Sequence, residues 1–251
     1  MIGPWRATNA SSVSAVTDTP LDELWPQPTN GVDIGARLAG DDRTPPEGRP
    51  WVTMVMISSL DGGIVIDGVS GGLGGPADHA RFVAARRQME AIVVGARTAA
   101  VENYQPATVP IAVVTGSLSP DPSARLFSDP ERPPLLYTTT QAAQDRGAQF
   151  DGIAEVIDLG DSLEPIAVLA DLRRRGRLTV ALEGGPTLNG QFLAADLVDE
   201  ILLSVSPLAV GGTGSRLASG PPLGPDHRFR LDRVLRGDDL LFVRYVRDRS
   251  A

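Results

Sequence analysis

The stretch Thr179-Val180-Ala181-Leu182-Glu183-Gly184-Gly185-Pro186-Thr187-Leu188 combines residue types that can do chemistry. An apolar run meets an acid, two glycines and a proline. Gly184 and Gly185 have no Cβ, so a ligand can approach the backbone closely. Pro186 suits the first turn of a helix, where its missing N–H costs nothing. Together they predict a strand–glycine–helix turn whose free N–H groups and positive dipole end converge on one spot. Such a spot holds phosphate or pyrophosphate. Glu183 stands at the strand's end, where open α/β sheets place functional side chains.

Other segments offer further polar groups. In Ser58-Ser59-Leu60-Asp61-Gly62, Asp61 either holds a polar substrate or orients a turn. Gly71-Gly72-Leu73-Gly74-Gly75 lets backbone approach a flat ring or is simply a flexible loop. Val93-Val94-Gly95-Ala96-Arg97-Thr98, with Glu102 after it, ends a strand in glycine before a hydroxyl. Thr98 there grips a cofactor or only caps a helix. Thr115-Gly116-Ser117 suits an adenosine 2′-phosphate or is a plain strand-end turn. Gly211-Gly212-Thr213-Gly214 is a late glycine loop that closes on a cofactor or lies on the surface.

The elements that must position these groups follow from periodicity. Apolar, β-branched runs predict strands at 51–59, 64–66, 91–95, 110–115, 135–138, 154–159 and 178–182. Helices are expected at 78–90, capped by Asp78, at 98–104, capped by Thr98, at 164–175 and at 186–195. The tail changes character, with strands at 200–206, 229–236 and 240–247 and a hairpin turn at Gly237-Asp238. The fold class is α/β: a mostly parallel central sheet flanked by helices, with a C-terminal antiparallel hairpin. Residues 1–48 read as an irregular, partly ordered arm docked by Trp25, and 49–251 as one domain.

Composition removes whole classes of function. The 251 residues carry a net charge of −8, which argues against nucleic acid as a partner. All 23 basic residues are arginine, so lysine Schiff-base chemistry is excluded. Without cysteine there is no thiolate nucleophile and no Cys-ligated zinc, and His79 and His227 are too few for a histidine metal site. No metal is expected. No G-x-G-x-x-G or phosphate-loop motif follows a strand. The absence of an 18-residue apolar run and of a basic-then-apolar leader predicts a cytoplasmic chain with no membrane partner.

The order SSLDG, GGP-x-D, VVG-x-x-T, a strand ending in a small polar turn, EGGPTL and a late VGG resembles the reductase domain of the bacterial riboflavin-biosynthesis deaminase–reductase, over roughly residues 50–247. The resemblance implies a dihydrofolate-reductase-like fold and an NADPH-dependent reduction of a diaminopyrimidinone ribosylamine phosphate, ribosyl to ribityl. It implies that Ile57, Gly95, Thr98 and Glu102 line the cofactor and that Thr115, Gly116 and Ser117 face the adenosine 2′-phosphate. Gly184, Gly185, Pro186, Thr187 and Leu188 would hold the pyrophosphate. Asp61, Ser59, Ser70, Arg86 and Glu183 would contact the substrate, Arg86 at its phosphate and Glu183 as a proton source.

Two cations usual in that family, a lysine on the first strand and an arginine after Pro106, are replaced here by the apolar run 52–57 and by a segment ending in Val109. A pterin or dihydrofolate-type reductase, or a nucleotide-binding regulator on the same fold, is therefore kept as an alternative. A zinc deaminase is excluded by the lack of cysteine. A homodimer is expected if the apolar residues of 240–246 are not covered by the molecule's own helices.

Overall fold

A computed structural model describes residues 21–249. The strands are β1 (Leu21–Trp25), β2 (Thr29–Val32), β3 (Trp51–Ser58), β4 (Ala91–Gly95), β5 (Ile111–Val114), β6 (Leu135–Thr138), β7 (Glu155–Asp158), β8 (Thr179–Leu182), β9 (Glu200–Val205), β10 (Phe229–Gly237) and β11 (Leu240–Arg247). The helices are α1 (Ile34–Ala39), α2 (Pro76–Arg86), α3 (Ala96–Val101), α4 (Thr140–Arg146), α5 (Pro165–Arg174) and α6 (Pro186–Ala194). All eleven strands form one sheet in the order β2-β1-β10-β11-β9-β3-β8-β4-β5-β6-β7. From β9 to β7 neighbours are parallel, and from β2 to β9 they are antiparallel.

The central strands are apolar on both faces because both faces are covered. Val55, Ile92, Val94 and Ala181 pack under Ala84 and Ala85 of α2 and Ala99 of α3. Val52, Met54, Val93, Val180 and Leu182 pack on Val168, Leu169 and Leu172 of α5 and Leu188 and Phe192 of α6. Fully burying a side chain such as Leu172 or Phe192 stabilises the fold by about 1.5–3 kcal/mol. β8 enters between β3 and β4 although it comes late in the chain, so the turns after these three strands meet at one end of the sheet.

The opposite end carries an ion network. Glu200, with no exposed side-chain surface, accepts from Arg43 and Arg244, from Trp51 Nε1 and from Thr53 Oγ1. Asp41 pairs with Arg43, Arg233 and Arg244. Asp199 takes both arms of Arg49 and the Val52 N–H.

This network explains one correction. The described part of the presumed irregular arm, residues 21–48, carries three regular elements: β1 pairs with β2 and β10, α1 follows, and the irregular segment after α1 is held through Asp41, Arg43 and Arg49. Leu21, not Trp25, docks it; Trp25 is 52% exposed. Expectations for residues 1–20 lie outside the described residues. Segment 64–66 makes a single bridge, Ile66 to Val69, rather than a strand. α2 begins at Pro76 with Gly75 as its cap, and Asp78 instead accepts a hydrogen bond from Ser204 on β9. Likewise α3 is capped by Gly95, not Thr98. α4 was not foreseen, because TTQAAQDR lacks an apolar stripe. The hairpin turn is Asp238-Asp239, flanked by the Gly237–Leu240 pair. A Cβ on Gly237 would lie 2.1 Å from Leu21 Cδ2.

In β11, Leu240 and Phe242 are buried, while Leu241, Val243 and Tyr245 face outward. Their cross-strand partners Val205, Leu203 and Ile201 on β9 share that half-exposed face, as does Val234 on β10. No helix among the described residues is long and apolar enough to cross a membrane.

Candidate active site

The turns after β4 and β8 are joined by backbone. The Gly95 N–H donates to the Gly184 carbonyl at 2.7 Å. Gly184 has φ +93°, a conformation that side chains resist, and its bond to Gly185 is cis. A Cβ on Gly185 would lie 2.7 Å from Thr98 Oγ1, and one on Gly95 would lie 3.4 Å from the Gly185 nitrogen. α6 starts immediately after, and its first amide to find a partner is Asn189 N–H, on the Gly185 carbonyl. The amides before it point outward, as helix N-termini do. Glycine backbone, open amides and a dipole end make this a cradle suited to a diphosphate. It unites the expected cofactor residues Gly95, Thr98, Gly184, Gly185, Pro186, Thr187 and Leu188.

Glu183 directly precedes the cradle and is buried. Arg86, from the end of α2, grips it with two parallel hydrogen bonds, Nε to Oε1 at 2.7 Å and Nη2 to Oε2 at 2.6 Å. The Tyr104 hydroxyl donates to the same Oε2. The guanidinium lies over the rings of Phe82 and Tyr104. Burial would lower the Arg86 pKa, but the Glu183 charge and hydrogen bonds outweigh it and raise it. Burial and the neighbouring Glu183 carboxylate push the Tyr104 phenol well above its usual value. The expectation of Arg86 as a free phosphate ligand and Glu183 as a proton source is thus altered: each is the other's partner. Tyr104 was missed because it lies in the irregular segment after α3, which carries no periodicity.

Asp61 orients a turn. Its carboxylate accepts from Ser59 Oγ, from Val210 N–H at 3.1 Å and from Gly211 N–H at 2.6 Å. These bonds, Ser59 first, hold its pKa down at about 2. They tie the β3 turn to the long β9–β10 connection, which also bonds Leu60, Ile64, Pro186 and Asn189. That connection is a strap across both halves of the site. An Asp61→Ala variant is expected to exchange the Val210 and Gly211 amide hydrogens at least about tenfold faster, read by mass spectrometry. Because the folded pKa is depressed, the latch holds above the ordinary carboxylate value of 3.8 and loosens only as pH falls towards 2.

The remaining residues divide. Glu102 accepts from the Ser70 N–H at 2.8 Å, closing the glycine loop onto α3. Thr115 is buried and its hydroxyl accepts from Ser119 N–H, leaving exposed Gly116 and Ser117 at the β5 end. Arg146 brings a cation there by donating to the Ser117 carbonyl. Ile57 packs towards β1, β2 and α2; its neighbour Met56 is the β3 residue beside Gly184. A cavity of about 260 Å³ between Pro106–Ile111 and Pro133-Pro134 lies at the amino ends of β5 and β6, away from all these groups.

A family model described as the RibD C-terminal domain matches residues 50–241. This chain belongs to that family. A 2,5-diamino-6-ribosylamino-4(3H)-pyrimidinone 5′-phosphate reductase of Methanothermobacter thermautotrophicus is 30% identical over 178 residues, covering 67% of this chain and 82% of the relative. Its namesake in Aquifex aeolicus is also 30% identical, with 65% and 80% covered. The crystal structure of a pyrimidine reductase-like protein from Corynebacterium diphtheriae superposes with a TM-score of 0.72 at 27% identity, covering 80% of this chain and 93% of the other. The RibD C-terminal domain fold seen here is dihydrofolate-reductase-like, with the cradle and the Glu183–Arg86–Tyr104 group at the carboxyl ends of its parallel strands.

Proposed function

We propose that this RibD C-terminal domain is an NADPH-dependent reductase that converts the ribosyl group of a diaminopyrimidinone ribosylamine phosphate to a ribityl chain. The observation that carries this reading is the joined glycine cradle beside a buried Arg86–Glu183 pair, in a chain whose relatives are named for that reduction. When bound, the nicotinamide supplies the hydride. The protein's part is to hold, orient and keep water out. The amides of Gly185, Thr187 and Leu188 hold the diphosphate, and Thr98 sits against the cradle. The Thr115–Ser117 turn with Arg146 favours a 2′-phosphate, hence NADPH over NADH. Ser59, Asp61 and Ser70 shape the substrate side through the turns they fix.

The test is nicotinamide absorbance with the pyrimidinone phosphate and with dihydropterin and dihydrofolate substrates, each with NADPH and NADH. Oxidation of NADPH by the pyrimidine alone supports the reading. Oxidation only by a pterin, or binding without turnover, would replace it with the pterin reductase or the regulator. A cytoplasmic setting is part of the same proposal.

The outward face of Ile201, Leu203, Val205, Leu241, Val243 and Tyr245 is the proposed seat of a second copy of the chain. A Leu203→Asp/Val243→Asp variant is then expected to sediment as a monomer at concentrations where the wild type is a dimer. A wild-type monomer would remove that proposal.

A further inference from the structure

Arg81 on α2 is only 3% exposed, yet its Nη2 has no hydrogen-bond partner among the described residues. Its guanidinium carbon lies 5.6 Å from the centroid of the Phe242 ring on β11. Burial lowers its pKa, and the charges of Asp78 and Glu200 oppose that fall through space. Both carboxylates are bonded elsewhere, Asp78 to Ser204 and Glu200 to Arg43, Arg244, Trp51 and Thr53. A guanidinium keeps its proton even when buried, so a donor left without an acceptor there is costly.

Arg81 lines a cavity of about 20 Å³ between α1, α2 and strands β9, β10 and β11. Five apolar residues, among them Ile34 and Phe242, line it together with Arg81, Arg233 and Arg244, and no carboxylate does. The carboxylates that pair with Arg233 and Arg244, namely Asp41, Asp232 and Glu200, bond them without lining the cavity. A space of that size takes one atom-sized guest. A water there needs acceptors for its own two hydrogens, and arginine offers five donors and no acceptor. The three strands each have a bonded neighbour on both sides, so their carbonyls serve the sheet. Donors, positive charge and apolar walls suit a single-atom anion better than water. We propose that a halide ion, chloride in ordinary buffers, binds in this cavity on Arg81, Arg233 and Arg244 and fastens α2 to β10 and β11.

Two measurements on the full chain test this. The first is anomalous diffraction from crystals soaked in sodium bromide, which is expected to show a bromide peak within hydrogen-bond reach of Arg81 Nη2. The second is the thermal midpoint as sodium chloride replaces sodium gluconate at constant ionic strength, so that screening stays the same. Gluconate is too large for the cavity. For a dissociation constant of about 50 mM, the midpoint is expected to rise by about 3–6 °C on going to about 0.5 M chloride. Arg81→Met, which keeps the length and apolar stem of the side chain and removes its donors, is expected to lose both the peak and the rise. Should Arg81→Met fail to fold, the two wild-type measurements decide the matter by themselves. A cavity without a bromide peak would overturn the proposal, whatever chloride does to the midpoint. A peak with no chloride-specific rise would mark an adventitious ion only and overturn it too. A rise of the same size in Arg81→Met would place the chloride effect elsewhere on the molecule, with the same consequence.

Discussion

Gly190→Ala is expected to destabilise the protein by about 3 kcal/mol and to free the β9–β10 strap. The sign is opposite to the usual one, since alanine in a helix interior is favoured over glycine by up to about 1 kcal/mol. Gly190 lies within α6, and a Cβ there would sit 2.0 Å from the Ser219 carbonyl oxygen and 2.8 Å from its carbon. Ser219 cannot retreat freely. Its N–H donates to the Pro186 carbonyl at 2.9 Å, and Asn189 Nδ2 holds the Leu217 carbonyl at 2.7 Å. The strap must therefore lift as a unit, taking its bonds to the site turns with it. Urea unfolding gives the stability change, and hydrogen exchange at the Ser219 amide reports the strap. A variant as stable as the wild type would mean that helix and strap are not in the contact described.

Removal of the Glu200 carboxylate is expected to cost about 3–5 kcal/mol, a large share of the 5–15 kcal/mol typical of a folded domain. Glu200→Ala would leave Arg43, Arg244, Trp51 Nε1 and Thr53 Oγ1 facing a buried gap. Burial alone would raise the Glu200 pKa, but the hydrogen bonds and charges of Arg43 and Arg244 overcome it and lower it from 4.5. A depressed folded pKa means that this contribution is complete above 4.5 and is lost as pH falls through the lower folded value. Thermal midpoints recorded from pH 7 down to pH 3 should fall steeply in the wild type. In Glu200→Ala the midpoint starts lower and falls less. Parallel curves would show that Glu200 is not the acid-sensitive partner.

The β8 strand, its glycine turn and α6 were legible because each level agreed: an apolar run, two glycines and a proline at a helix start. The parallel strands were legible for the same reason, being short apolar runs between turn residues. What failed to show was whatever depends on contacts distant in sequence. Glu183 and Arg86 were both singled out, yet nothing in a sequence tells that residues 97 positions apart saturate one another. Asp78 and Thr98 read as caps because capping is a local rule; Asp78 instead bonds Ser204 on β9, and the Thr98 hydroxyl lies against Gly185. The strand pair β1–β2 was missed because TNGV carries no alternation, and its place in the sheet is set by β10 and by arginines elsewhere.

The strap contributes no strand to the sheet and no helix to either layer, yet it bonds to the SSLDG turn on one side and to α6 on the other. Loop-exchange engineering could thus rewrite what the cleft admits by grafting one contiguous stretch, keeping Asp61, Gly190 and Asn189 as its three mooring points and leaving the scaffold untouched.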